Sequence, residues 1–231
     1  MLVGLVCARK NSKGLKDKNL RHLGGIPLIG HSIEMAKSID KISEIIVSTD
    51  CEKIAETARF YGASVPFLRP AELAQDNSAE WLVWQHALKN FVKDLKSLTG
   101  LVVLPPTGPL REKVDICKAI DLFYKHNCDV VLTTSKSHKS PAFNMVCEDE
   151  EGFIELALPL KQKFIRRQDA PQFYDISTNC YVVKPNFVLE KSNLFEGKVK
   201  QLVVDTKTSV DIDTIDDLEW AQFLYDKKAQ K

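Results

Sequence analysis

Two rhythms of apolar and polar positions alternate along the chain. Short, nearly continuous apolar runs at Leu2 to Cys7, Glu44 to Ser48, Ala63 to Leu68, Gly100 to Leu104 and Asp129 to Thr133 read as strands. Between them, Ile29 to Ser38, Cys51 to Tyr61, Ala79 to Phe91 and Lys113 to His126 repeat apolar residues at three- and four-residue intervals, the period of a helix with one buried face. Runs such as Leu2-Val3-Gly4-Leu5-Val6 and Leu101-Val102-Val103-Leu104 have no polar side, so helices must cover both faces of the sheet they form. The pattern predicts a three-layer α/β fold with a mostly parallel central sheet.

The rhythm breaks after Thr133. From about 135 to 175 the chain mixes polar stretches with the basic run Lys161 to Arg167, and Asp149-Glu150-Glu151-Gly152 reads as a tight turn between strands at Asn144 to Val146 and Phe153 to Leu156. A protruding hairpin arm is expected there, suited to contact between subunits. The main pattern resumes at Asn179 to Val183, Val199 to Val204 and a final helix from Thr214 to Tyr225, leaving Asp226 to Lys231 as a frayed end. With no repeat or linker, residues 1–231 read as a single domain carrying this arm.

At 231 residues the chain is long enough for one substantial core. Its 32 Lys and Arg nearly cancel its 31 Asp and Glu, so no overall field attracts nucleic acid or an anionic membrane. Met1 to Ala8 is too short for a signal peptide, and no stretch approaches the roughly 20 apolar residues of a membrane span, which makes the cytoplasm the expected compartment. The six cysteines form no C-x-x-C and read as reduced thiols acting as small buried hydrophobes. The five histidines form no H-x-x-x-H pair, which argues against catalytic zinc.

Any anion site must therefore be built locally, and the loop after the first strand is where an open α/β sheet binds ligands. It reads Ala8-Arg9-Lys10-Asn11-Ser12-Lys13-Gly14-Leu15-Lys16-Asp17-Lys18-Asn19, with five cations in ten residues of a neutral protein. Beside backbone amides freed by Ser12 and Gly14, these could neutralise a polyphosphate; a merely solvated loop has the same composition. The loop matches neither the P-loop nor the dinucleotide fingerprint, which weakens the case for ATP hydrolysis and for hydride transfer. Near the other end, Asp211 and Asp213 in Ser209-Val210-Asp211-Ile212-Asp213-Thr214 would share one face of an extended segment, roughly 7 Å apart, and could hold a hard cation. A helix N-cap at Asp213 is the competing reading. Arg69, in Arg69-Pro70-Ala71-Glu72-Leu73-Ala74, could meet a base or a phosphate, or serve a surface ion pair. Pro105-Pro106-Thr107-Gly108-Pro109-Leu110-Arg111 is a rigid turn that either floors a pocket or simply starts a helix capped by Thr107.

Taken in order, Ala8 to Leu15 with Lys18-Asn19-Leu20, Ile45 to Asp50, Arg69 to Ala74, Pro106 to Arg111 and Ser209 to Thr214 resemble the CMP-sialic acid synthetases, the acylneuraminate cytidylyltransferase family, over nearly the whole chain. The resemblance implies transfer of CMP from CTP to the anomeric hydroxyl of a 2-keto-3-deoxy acid sugar, with release of pyrophosphate and with Mg²⁺, or Mn²⁺ in its place. It implies that Arg9 and Lys18 hold the triphosphate together with Ser12 and Lys13, and that Asn19, Arg69 and Ser78 contact the nucleotide. Asp211 and Asp213 match metal-binding carboxylates, with Arg9, Lys18 and Asp211 carrying the chemistry. Around the sugar the match gives Pro105, Thr107 and Tyr181, with Arg167 as a basic residue that a neighbouring subunit can lend in a homodimer. The chain departs from the sialate pattern at Pro105, where a Gln is usual, at Gly108 for a Ser, at Phe143 for a Lys and at Asp175 for a basic residue, which leaves the sugar open between sialic, legionaminic, pseudaminic and Kdo-like acids. A non-catalytic nucleotide-binding subunit is the rival reading.

Overall fold

The computed structural model describes residues 1–91, 97–162 and 164–230. Ten strands and six helices are present among them: β1 Leu2–Cys7, β2 His22–Leu23, β3 Ile26–Pro27, α1 Leu28–Lys37, β4 Ile42–Ser48, α2 Glu52–Phe60, α3 Glu80–Phe91, β5 Gly100–Val103, α4 Lys113–His126, β6 Val130–Lys136, β7 Val146–Glu148, β8 Ile154–Leu156, β9 Tyr174–Val183, α5 Pro185–Glu190, β10 Val199–Val203 and α6 Ile215–Ala229. Six strands form one sheet in the order β10-β6-β9-β5-β1-β4. All neighbours run parallel except β9, which lies antiparallel to both β5 and β6.

Strand alternation divides the core in two. Leu2 and Val6 of β1, Val102 of β5 and Cys180 and Val182 of β9 face α1, α2 and α4. Val3 and Leu5, Leu101 and Val103, and Tyr181 and Val183 face the opposite way, onto α3 and α5. This is the two-sided burial that the unbroken apolar runs required. Trp81 and Trp84 are core residues of the second layer, their rings 5.3 Å apart. A third, smaller cluster joins Leu15 and Leu23 near the amino terminus to Leu28, Ile212 and Ala221.

Some elements differ from expectation. Residues 63–68 make no strand; they run beside β4 with one bridge, Ser64 to Ile46, because Pro66 has no N–H to continue a ladder. The arm hairpin begins at Val146 rather than Asn144, whose side chain instead accepts the Ser140 N–H at 2.7 Å. Helix α6 continues to Ala229, with Lys227 and Lys228 in the last turn, where cations suit the helix dipole, and with a Lys228–Glu112 ion pair of 2.7 Å. All six cysteines are free thiols, but only Cys128 and Cys180 are buried; Cys7, Cys51 and Cys117 are half-buried and Cys147 is exposed on the arm. No helix among the described residues is long and apolar enough to cross a membrane.

The β6–β9 register shifts between Leu132 and Thr134. The hydroxyl of fully buried Thr133 fills the gap: it donates towards the Ser177 and Cys180 carbonyls at 3.3 and 3.1 Å and accepts from the Cys180 N–H and the Ser177 hydroxyl at 3.0 and 2.9 Å. Thr133→Val keeps the shape but leaves these buried groups unpaired, so we expect a loss of about 2–3 kcal/mol in urea denaturation; an unchanged midpoint would show that the irregularity holds itself.

Candidate active site

The parallel strands β1, β4 and β5 end on the same sheet edge, and the segments leaving them surround a cleft of about 410 Å³. Arg9, Ser12, Lys13, Lys18 and Asn19 line it from the loop after β1. Arg69 comes from the run beside β4, tied there by its N–H to the Thr49 carbonyl at 2.7 Å. Ser78 lies just before α3, and Pro105 and Thr107 follow β5. Asp213 reaches the same cleft from the segment that precedes α6.

The two ends of the chain meet here through close packing. Leu15 and Ile212 share the small third cluster, which draws Gly14 so near the Asp213 carbonyl that a Cβ on Gly14 would stand 2.3 Å from it. Lys18 Nζ then lies 2.7 Å from Asp213 Oδ1, an ion pair spanning 195 residues. The N-cap of α6 is Thr214, in a capping box with Asp217, so Asp213 is not spent as a cap. Asp211 does not line the cleft directly; it is bonded to Thr107, which does, and accepts from the Thr178 hydroxyl at 3.2 Å. Loss of water around its carboxyl group raises its pKa above the ordinary aspartate value, with Asp213 adding to the effect.

Other groups are held by the protein itself. Arg9 Nη1 is 2.9 Å and Lys13 Nζ 3.0 Å from the two carboxylate oxygens of Asp76, and Arg9 also donates to the Gln75 carbonyl at 3.0 Å. Asp76 therefore sits between the two cations as an internal anion; the Lys13 bond foremost keeps its carboxyl below the usual range. Asn19, buried, donates to the Arg9 carbonyl at 2.9 Å. Ser78 donates to the Glu72 carbonyl at 2.7 Å and fixes the 72–78 turn. Arg69 is 6% exposed and stands 3.8 Å from Asp50, too far for a hydrogen bond. Its Nε and Nη2 are shielded from solvent and have no hydrogen-bond partner among the described residues. Tyr181 does not line this cleft; it is buried against Trp84, ring centroids 5.5 Å apart, and burial keeps its phenol protonated. Arg167 opens a short 3₁₀ turn in the arm, and its side chain lies outside the described residues.

A family model described as cytidylyltransferase matches residues 3–229. The chain belongs to the cytidylyltransferase family. This makes it a nucleotidyltransferase. Its relatives include the post-translational flagellin modification protein B of Campylobacter coli, 33% identical with 96% of this chain and 94% of that one covered. CMP-N,N'-diacetyllegionaminic acid synthase of Campylobacter jejuni is also 33% identical, with the same coverage of each chain. In fold the cytidylyltransferase matches CMP:2-keto-3-deoxy-manno-octonic acid synthetase complexed with CTP, at a TM-score of 0.74 and 14% identity, over 98% of this chain and 99% of the other.

Asp76, Gln75, Glu80 and Thr178 also line or bind the cleft groups, and sequence reasoning missed them. The acid at 76 stands two residues before Ser78 in a turn-rich stretch, a signal too weak to separate it from solvated polar residues.

The raised pKa of Asp211 has a stability consequence. A carboxyl that holds its proton more tightly when folded favours the fold below its unfolded value, and this contribution is lost as pH rises through the folded value. Asp211→Asn is therefore expected to melt at or above the wild-type temperature at pH 7, with the advantage vanishing as pH falls towards 3.8. Melting curves across that range check it; a variant less stable at pH 7 would contradict it.

Proposed function

We propose that this cytidylyltransferase transfers CMP from CTP to the anomeric hydroxyl of a nonulosonic acid, a 2-keto-3-deoxy sugar of the sialic acid kind, and releases pyrophosphate. The observation that carries the reading is the convergence of Arg9, Lys13 and Lys18 with Asp213 in one cleft, sealed by the Lys18–Asp213 ion pair. The relatives' names, which include a CMP-sugar acid synthase, support the acceptor class.

In this reading the triphosphate displaces Asp76 from Arg9 and Lys13, and those cations with Lys18 offset the charge that gathers on departing pyrophosphate. Arg69 faces the nucleotide beside Asn19 and Ser78. Pro105 and Thr107 floor the sugar side, and Tyr181 supports it from behind. No histidine lines the cleft among the described residues. Alignment of the two substrates can supply roughly 7–11 kcal/mol of the barrier, which lowers the need for a strong base.

Mg²⁺ fits the donor set. Asp213 lines the cleft and Asp211 stands behind it on Thr178, and these two carboxylates would hold the ion together with substrate phosphates, the mixed oxygen set that Mg²⁺ takes. When bound, the ion would polarise phosphate oxygens and offset their charge. Retention of Asp211, Asp213 and Lys18 together argues against an idle nucleotide-binding subunit.

A second copy of the chain is the proposed partner of the arm. Phe153 and Ile154 are each 68% exposed and Ile165 92%, on an extension that has no core of its own. Such an arm gives Arg167 a route to the neighbour's sugar site. The cytoplasm, which supplies CTP, is the proposed compartment.

Pyrophosphate release from CTP and Mg²⁺ is expected with at least one of a panel of sialic, legionaminic, pseudaminic and Kdo acids, and not with UTP or ATP; silence across the whole panel would refute the reading. Asp211→Ala is expected to lower that turnover at least about a hundredfold while the protein stays folded. Ile154→Asp is expected to convert a dimer to a monomer by light scattering. A wild-type monomer with full activity would remove the proposed partner.

A further inference from the structure

Beneath the cleft floor lies a cation that no step of the proposed transfer uses. Arg111 is 3% exposed, although its place at the start of a helix would ordinarily put it in water. No ion pair to it exists among the described residues. Its guanidinium instead bonds three neutral acceptors: Nε donates to the Gly108 carbonyl at 2.7 Å, Nη1 to the Ser32 hydroxyl at 3.2 Å, and Nη2 to the Pro105 carbonyl. Ser32, fully buried on α1, donates to the same Pro105 carbonyl at 3.3 Å. A buried guanidinium without a carboxylate is costly, so a structure that retains one gains something a neutral side chain would not give.

The two clamped carbonyls bracket Thr107. Its own carbonyl accepts the Ile212 N–H at 2.9 Å, and its side chain bonds Asp211. Gly108 leaves no slack on the far side, since a Cβ there would stand 2.9 Å from the Thr178 carbonyl, and Thr178 is the other partner of Asp211. Ser32 and Arg111 thus hold the turn, the turn holds Thr107, and Thr107 with Thr178 holds the carboxylate.

We propose that Arg111 is a positioning residue of the cytidylyl transfer, clamping residues 105–108 from below so that Thr107 fixes Asp211 beside the cleft. The inference rests on the assignment of Asp211 to the reaction. Its planar fork is what the role demands, because lysine offers one ammonium group and cannot span the Gly108 and Pro105 carbonyls and the Ser32 hydroxyl in a fixed plane.

The test uses the full chain, with kcat and KM for CTP from pyrophosphate release, Mg²⁺-free CTP affinity by calorimetry, and melting temperature. Arg111→Lys is expected to lower kcat about tenfold while KM and CTP affinity stay within about threefold, the pattern of lost alignment rather than lost binding. Ser32→Ala, which removes one arm of the clamp at a buried residue that does not line the cleft, is expected to lower kcat about threefold in the same pattern. Thr107→Val combined with Arg111→Lys should be no worse than the worse single variant, because both act through one contact. Wild-type kcat in Arg111→Lys, a loss confined to CTP affinity, or additive effects in the double variant would each overturn the proposal. Should Arg111→Lys fail to fold, Ser32→Ala decides, and wild-type kcat there overturns it. Asp211→Asn separates the two readings: if it turns over normally, the assignment of Asp211 fails, whereas an inactive Asp211→Asn beside a fully active Arg111→Lys sinks the clamp alone.

Discussion

Everything that makes a site of this fold depends on a backbone contact too close for any side chain, that of Gly14 with the Asp213 carbonyl. The sheet alone does not bring the amino-terminal loop and the carboxyl-terminal turn together; neither belongs to it. Burial of Leu15 with Ile212, Leu23 and Leu28 does so, in a cluster separate from both faces of the sheet. Apolar burial of a few side chains thus creates an electrostatic arrangement, since Lys18 and Asp213 are paired only because their neighbours in sequence are packed. Lys18 is mostly shielded while Asp213 is largely open, which leaves the carboxylate able to turn towards a newcomer.

Under the proposed function the cleft is an anion site that the protein fills with its own anion. Asp76 bridges Arg9 and Lys13 at hydrogen-bonding distance, so the two cations share a counter-charge supplied by the chain itself. On that reading an incoming polyphosphate would exchange one set of ion pairs for another, which makes discrimination depend on charge number and on geometry. Such exchange between exposed groups weakens with salt.

Most of the scaffold was legible because apolar periodicity reports burial directly: β1, β5, α1 and α4 fall where the pattern puts them. The direction of β9 was not, since an apolar run such as Cys180 to Val183 is buried on both faces whichever way it points. Residues 63–68 misled for the opposite reason, carrying strand-like composition at a sheet edge where Ser64 makes a single bridge to Ile46. In the cleft, the cations of the first loop stood out against a neutral chain, and Asp211 and Asp213 by their spacing. Asp76, Thr178 and the burial of Arg111 were hidden because each depends on which loops cross in space. Tyr181 was placed by resemblance at the sugar, whereas strand alternation turns it into the layer beneath.

Strand β9 runs from the root of the arm to the wall of the cleft. Its outer residues, Tyr174 to Ile176, pair with β6 alone, while Tyr181 to Val183 are gripped from both sides by β5 and β6. Thr178 sits at the boundary, just past the point where support becomes one-sided. Mechanically this is a cantilever: force on the arm bends the free length and reaches the Asp211 carboxylate through one hydroxyl, with the Thr133 stitch as the fulcrum.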